Sequence, residues 1–357
     1  MSTTLASAIT TAEISPQPDR RLLARRILWI ATAVNAALTL FALLAAFTGF
    51  GERIAGKFAF DGRAFAGLAF GFLFFNVFWA AVWYGVKNLL LKYFVGMSRE
   101  DRRAVFGSRM DVPFDLDGLL RRYSERRVRI VDMIGRRGRF ISLAMAIFFF
   151  LYLQISVEKS PNFASAFGAQ TLIDAVFANW TFIALYSANG LAGATIFGAQ
   201  TRIMDGTLAR ANFMTIVTLW ALFKFTLIPI GAQLAALFSP QQFAVLFALI
   251  WGTYLTVDTL AEVGGSLYGT MKIRVRGIGD VNRKSVAGTV TGLIGGLVFS
   301  FGVVTINGLG GAWLALAACV AVASSVLELA SPRGTDDFTM ATGNALICWA
   351  FGAWVLR

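Results

Sequence analysis

The chain has 357 residues, of which 57% are hydrophobic and only 15% charged, and its net charge is +12. A soluble domain carries nearer a quarter charged residues, so the composition argues against a water-soluble globule. Histidine is absent, which excludes phosphohistidine intermediates, Ser-His-Asp triads and His-ligated zinc or haem. Proton transfer is left to carboxylates, Lys, Tyr or a substrate's own phosphate.

Residues 1–19 are rich in Ser, Thr, Ala and Pro, with no short apolar core and no cleavage-like end. They read as a disordered tail and not as a secretory signal. Arg20, Arg21, Arg25 and Arg26 then precede the first of about nine apolar stretches, each near the length that crosses a bilayer core. The expected spans are 26–50, 64–95, 140–157, 170–199, 213–236, 243–263, 289–308, 310–329 and 340–356. The predicted fold is all-α, a polytopic membrane helical bundle with a cytoplasmic N-terminus. Residues 20–139 would supply two transmembrane helices and an Arg-rich cytoplasmic amphipathic segment, and residues 140–357 a catalytic membrane module.

The orientation follows from the cations. Loop 96–139 carries a dense run of arginines, including Arg121, Arg122, Arg126, Arg127 and Arg129. Loop 264–288 carries Lys272, Arg274, Arg276, Arg283 and Lys284, whereas the alternate loops are nearly bare. The positive-inside rule accounts for this excess, and no nucleic-acid partner is needed. Within 96–139, Leu116, Leu119, Tyr123, Ile130 and Ile134 recur at helical spacing, which predicts an amphipathic helix on the membrane surface in contact with anionic lipid. Gly288, Gly292, Gly295 and Gly296 would permit close helix packing. Gly308-Leu309-Gly310-Gly311 has no preceding strand and is not a nucleotide fingerprint. Cys319 and Cys348 lie in apolar spans without metal-like spacing and read as packing residues.

The chemistry concentrates between Asp258 and Thr289. Carboxylates in membrane helices cost roughly 2.5–3.5 kcal/mol each. Asp258 and Glu262, four apart, share a helix face and repel unless a cation joins them. Mg²⁺ suits such a pair, because it takes carboxylate and phosphate oxygens together; two interfacial acids meeting arginines are the plainer reading. Gly264-Gly265-Ser266-Leu267-Tyr268-Gly269 would let the backbone approach a ligand. Lys272, Arg274 and Arg276 alternate with apolar residues, so an extended segment would put them on one side. Asn282, Lys284, Ser285, Gly288 and Thr289 then lead into a helix start that suits phosphate. Glu328 and the run Asp336-Asp337-Phe338-Thr339 belong to the same predicted side. Carboxylates for metal and cations for phosphate imply phosphoryl or nucleotidyl transfer.

These elements, in order, resemble the pattern of the dolichol kinase, phytol kinase and CTP-dependent diacylglycerol kinase family. The resemblance rests on Asp258, Gly265, Gly269, Lys284-Ser285, Gly288-Thr289, Glu328 and Asp336 to Thr339. It covers roughly residues 140–357. It implies a lipid-alcohol kinase that uses CTP or ATP as phosphoryl donor. Asp258, Glu262, Asp336 and Asp337 are the expected Mg²⁺ ligands. Asp258, Glu262, Lys284, Glu328 and Asp336 are the expected catalytic groups. Gly265, Ser266, Gly269, Lys272, Arg274, Arg276, Asn282, Ser285, Gly288 and Thr289 would hold nucleotide and phosphate. The expected setting is a bacterial inner membrane with the site on the cytoplasmic side. One alternative is a phosphatidate cytidylyltransferase-like enzyme, although its His-Gly-Gly signature cannot occur here. A second is a transporter or scaffold, with Asp174 and Lys224 marking an ion path.

Overall fold

The computed structural model describes residues 82–107, 115–134, 201–209, 236–276, 281–332 and 335–356, with scattered positions between 22 and 40 and between 211 and 234. The tail 1–19, the spans expected at 140–157 and 170–199, and Asp174 and Lys224 lie outside the described residues. The described part is mostly helical. Three of its helices are long and apolar enough to cross a membrane.

After a helical segment at 82–95 come two short helices, α1 (Arg99–Gly107) and α2 (Leu116–Arg122), followed by a helical segment at 125–134. The sequence predicts one amphipathic helix here, lying on a membrane surface. The structure instead breaks the chain at Tyr123, whose backbone is extended (φ −128°, ψ 147°). The Tyr123 hydroxyl donates to Asp101 Oδ2 at 2.7 Å, and the Ser98 N–H donates to the Tyr123 oxygen at 3.0 Å. The apolar positions therefore turn onto one another. Leu119 joins Trp83, Leu91, Phe106, Val128 and Val131 in a buried cluster, with Leu116, Tyr123 and Ile134 packed against it.

That cluster is fastened to residues 201–204 by a buried ion pair. Lys87 Nζ lies 3.4 Å from Asp132 Oδ1 and donates to the Thr201 carbonyl at 2.8 Å. The Asp132 carboxylate accepts the N–H groups of Ile203 and Met204 at 3.0 and 2.9 Å.

The larger unit begins at Ser239. Its hydroxyl accepts from Gln242 N and the Gln242 side chain accepts from Ser239 N, a reciprocal cap with Pro240 in the first turn. Helix α3 (Pro240–Tyr268) runs past the predicted end at 263, so Gly264, Gly265 and Ser266 are helical. Glycine in a helix interior costs up to about 1 kcal/mol, which is offset here by contact with the next helix. The region predicted as a loop then forms an antiparallel hairpin, β1 (Lys272–Arg276) with β2 (Val281–Ser285), in the register Lys272 opposite Ser285 and Arg274 opposite Arg283. This ribbon departs from the all-α expectation.

Helix α4 (Val286–Ile306) buries Gly288, Gly292, Gly296, Ser300 and Val304, every fourth residue, against α3. Val290, Ile294, Val298 and Ile306 point outward. Small residues inside and large apolar residues outside suit a hydrocarbon surround. Gly308 and Gly311, with φ of 68° and 57°, make the predicted turn into α5 (Ala312–Ala330). Helix α6 (Asp336–Trp354) starts four residues before its predicted span. Polar side chains fasten the bundle: Thr253 to Ser300 at 2.8 Å, Ser324 to Asn344 at 3.0 Å, and Asn344 Nδ2 to the Ile250 carbonyl at 3.2 Å. Cys348 is buried in this core, while Cys319 is exposed on α5. Because successive helices run antiparallel, the end of α3, the hairpin, the start of α4, the end of α5 and the start of α6 meet at one end.

Candidate functional site

A cavity of about 340 Å³ opens at that end. One stripe of α3 lines it with Asp258, Ala261, Glu262 and Gly265, the three- and four-residue spacing of a single helix face, and Gly269 lines it just past the helix end. Ser266, Lys272, Lys284, Ser285, Gly288, Thr289, Glu328 and Asp336 also line it. All five residues expected to be catalytic are therefore brought together, along with most of those expected to bind nucleotide.

The carboxylates group differently from the expectation. Asp258, Glu328 and Asp336 each offer an oxygen within 4.8 Å of the others. Glu262, expected to share a metal with Asp258, instead accepts from Arg202 Nη2 at 3.1 Å. Its neighbour four residues away stands one helical turn along, and the arginine provides the nearer countercharge. Asp337 follows Asp336 on α6 but does not line the cavity.

Lys284 Nζ donates to Glu328 Oε1 at 2.8 Å, and both side chains are largely buried. The group thus holds three carboxylates and one ammonium, a surplus of negative charge. Oδ1 of Asp336 is buried and has no hydrogen-bond partner among the described residues. Mg²⁺ binds oxygens at about 2.0–2.1 Å, which places neighbouring ligands roughly 3–4 Å apart. The three oxygens fit such an ion after small side-chain adjustment, and the surplus charge and the orphaned oxygen both favour one.

The glycines also serve packing, the use predicted for Gly288, while Gly265, Gly269 and Gly288 line the cavity as well. A Cβ on Gly265 would lie 2.8 Å from Ser285 Oγ, and one on Gly288 would lie 2.6 Å from the Ala261 carbonyl oxygen. They permit α3 and the start of α4 to touch. Ser285 caps α4, its hydroxyl accepting from Gly288 N at 3.1 Å, while the Thr289 hydroxyl donates to the Ser285 carbonyl at 3.2 Å. Lys284 and Ser285 are thus already engaged within the protein. Arg274 is exposed on β1 and is not part of the cavity lining, and the side chains of Arg276 and Asn282 lie outside the described residues.

The remaining wall comes from segments that carried no motif. Glu125, Arg129, Arg202, Asp205, Asn212 and Ile216 line the cavity beside the α3 stripe. Arg129 Nη2 pairs with Glu125 at 2.6 Å. Burial, with the nearby Arg129 guanidinium, holds the Lys272 ammonium below the usual lysine range, against the opposing pull of Glu125. The boundary expected near residue 139 therefore runs through the cavity wall. A faint signal existed in the sequence: Arg202, Asp205 and Asn212 are polar residues at short spacing beside an apolar stretch. Comparison of the chain with protein families, with curated proteins and with solved structures finds no match to any of them.

Proposed function

We propose that the protein is a membrane-embedded kinase for a lipid alcohol, with CTP or ATP as donor. The observation that carries this reading is the convergence of Asp258, Glu328 and Asp336 with Lys284 in one polar cavity at the end of apolar helices. Such a site suits a charged phosphoryl donor, while the outer faces of the helices suit an acceptor arriving from the bilayer. The resemblance of the same residues to the dolichol, phytol and diacylglycerol kinases points the same way. On this reading the helices belong to a bundle of about nine spans with the N-terminus cytoplasmic, in a bacterial inner membrane, with the cavity facing the cytoplasm.

Asp258, Glu328 and Asp336 would hold Mg²⁺, which supplies charge neutralisation on the transferring phosphoryl group. The lipid hydroxyl oxygen attacks the γ-phosphorus, the bond to the bridging oxygen breaks, and the nucleoside diphosphate leaves. Lys284 engages Glu328, so we assign the hydroxyl proton to Asp258. A loose transition state needs little help from a base, and stabilisation of charge dominates.

The test uses the full chain in detergent–lipid micelles with Mg²⁺, nucleotide labelled at the γ-phosphate, and a mixed pool of polyprenol and diacylglycerol. Label is expected in the lipid phase. Asp258→Asn should lower turnover by about 10²–10⁴-fold with the melting temperature retained. Label leaving as pyrophosphate would move the assignment to nucleotidyl transfer. Absence of transfer with either nucleotide would overturn it.

A further inference from the structure

The sequence gives the phosphate contacts to Lys272, Lys284, Ser285, Arg274 and Arg276, but the structure commits Lys284 and Ser285 within the protein and leaves Arg274 out of the cavity lining. Unused donors lie elsewhere in the same cavity. Asn212 is 9% exposed, and its Nδ2 has no acceptor among the described residues. Arg202 spends Nη2 on Glu262, while its buried Nε likewise has none. A buried N–H without an acceptor is costly, and two such groups lining one cavity call for a ligand rich in acceptor oxygens. Lys272 lines the cavity with them and makes no ion pair among the described residues.

We propose that Arg202, Asn212 and Lys272 form a phosphate subsite contributed largely by the segment that precedes the helical bundle. The charges permit it. On this wall Arg129 answers Glu125 and Arg202 answers Glu262, and Lys272 and Asp205 add one charge of each sign. A divalent ion on Asp258, Glu328 and Asp336, together with Lys284, would neutralise the remaining acids. A phosphate then meets no net repulsion and gains donors that water or protein would otherwise have to satisfy. Burial already disfavours the Lys272 charge, and an anion beside it would relieve that penalty. The natural ligand, a nucleotide's phosphate chain or a lipid phosphate, rests on the kinase reading; the subsite itself does not.

The probe is inorganic pyrophosphate, titrated calorimetrically into the full chain in neutral detergent micelles with Mg²⁺. Saturable binding is expected. Arg202→Ala should weaken it roughly 10-fold or more, and Asn212→Leu about 5-fold, as loss of a charged and a neutral hydrogen bond respectively. Arg202→Lys keeps the charge beside Glu262 but removes Nε, and should weaken binding even if Arg202→Ala fails to fold. Arg103→Ala, exposed and outside the cavity, should leave affinity unchanged. Either CTP or ATP, or micelles containing phosphatidate, should displace pyrophosphate, and which one does so identifies the source of the phosphate. Wild-type affinity in folded Arg202→Lys and Asn212→Leu, or displacement by neither class, overturns the proposal. Label transfer to lipid with unchanged affinity in these variants would sink the subsite and leave the kinase reading standing; the reverse pattern would do the opposite.

Discussion

Helices α3 to α6 and the arginine-rich segment before them are packed by opposite rules. In α4 the small residues Gly288, Gly292, Gly296 and Ser300 face inward and Val290, Ile294 and Val298 face out. Around α1 and α2 the large residues Trp83, Leu91, Phe106 and Leu119 are inside, and arginines such as Arg103, Arg121 and Arg126 are exposed. The second arrangement is the one that removal of apolar surface from water drives, while Val86, Leu89, Tyr93 and Phe94 of the preceding helical segment stay exposed. The first has no such drive, because a lipid tail is as apolar as valine, and gains from close contact and polar fastening instead. The cavity lies where the two meet, so its walls obey different constraints.

The largest expected effect breaks the arginine-rich part. Asp132→Ala leaves Lys87 buried without its carboxylate and removes the acceptor of two backbone N–H groups. Removing one member of a buried pair costs about 3–5 kcal/mol. Denaturant or thermal unfolding in detergent should show that loss, together with weaker pyrophosphate binding, because Ile203 and Met204 adjoin Arg202. The double variant Lys87→Met/Asp132→Leu should recover part of the stability but not all, since the N–H groups still lack acceptors. Full stability in Asp132→Ala would mean that the clasp does not hold the wall.

The next effect tests the bundle. A Cβ on Gly292 would stand 2.9 Å from the Val257 carbonyl oxygen and 3.1 Å from the Ala261 Cβ. Gly292→Leu should cost about 1–3 kcal/mol or more by overpacking. On the opposite face Ile294 is 56% exposed, and Ile294→Leu should change stability by no more than about 0.5 kcal/mol. Equal effects at the two positions would erase the inside–outside distinction drawn for α4.

The same contrast explains what could be read from the sequence. The apolar runs located α3, α4 and α5 to within a few residues, because one helix per run satisfies its own backbone and hydropathy suffices. The four-residue glycine spacing announced the α3–α4 contact, and Gly265, predicted to let a ligand approach, both joins that contact and lines the cavity. Asp258, Glu328 and Asp336 were legible because carboxylates beside apolar runs are costly and therefore informative. Their convergence was legible too, but the turn of Glu262 to Arg202 was not, since that pairing joins positions sixty residues apart and leaves no periodic trace. The break at Tyr123 was missed for a similar reason: helical spacing on both sides of it reads as one helix, and only the contact with Asp101 and Ser98 shows the turn. Lys87 and Asn212 escaped notice because single polar residues beside apolar runs have no pattern until their partners, or their lack of one, are seen.

The smallest effect concerns that turn. Burial alone would raise the Asp101 carboxyl, but hydrogen bonds from Tyr123 and Ser98 and the Arg122 guanidinium at 2.8 Å outweigh it and hold Asp101 below the usual carboxylate range. A carboxyl depressed on folding stabilises the fold above its unfolded pKa, about 3.9, and that contribution is lost as pH falls through the lower folded value. Arg122 is 60% exposed, and pairs with such exposure contribute only about 0.2–1 kcal/mol. Asp101→Asn should therefore melt slightly below wild type at pH 7, and the two curves should converge as the medium is made more acidic than the folded Asp101 titration. A gap that persisted in acid would assign the difference to the shape of the Ser98–Tyr123 contact and not to charge. Convergence would show that the arginine-rich segment, unlike the glycine-packed bundle beside it, draws part of its stability from an ionised group.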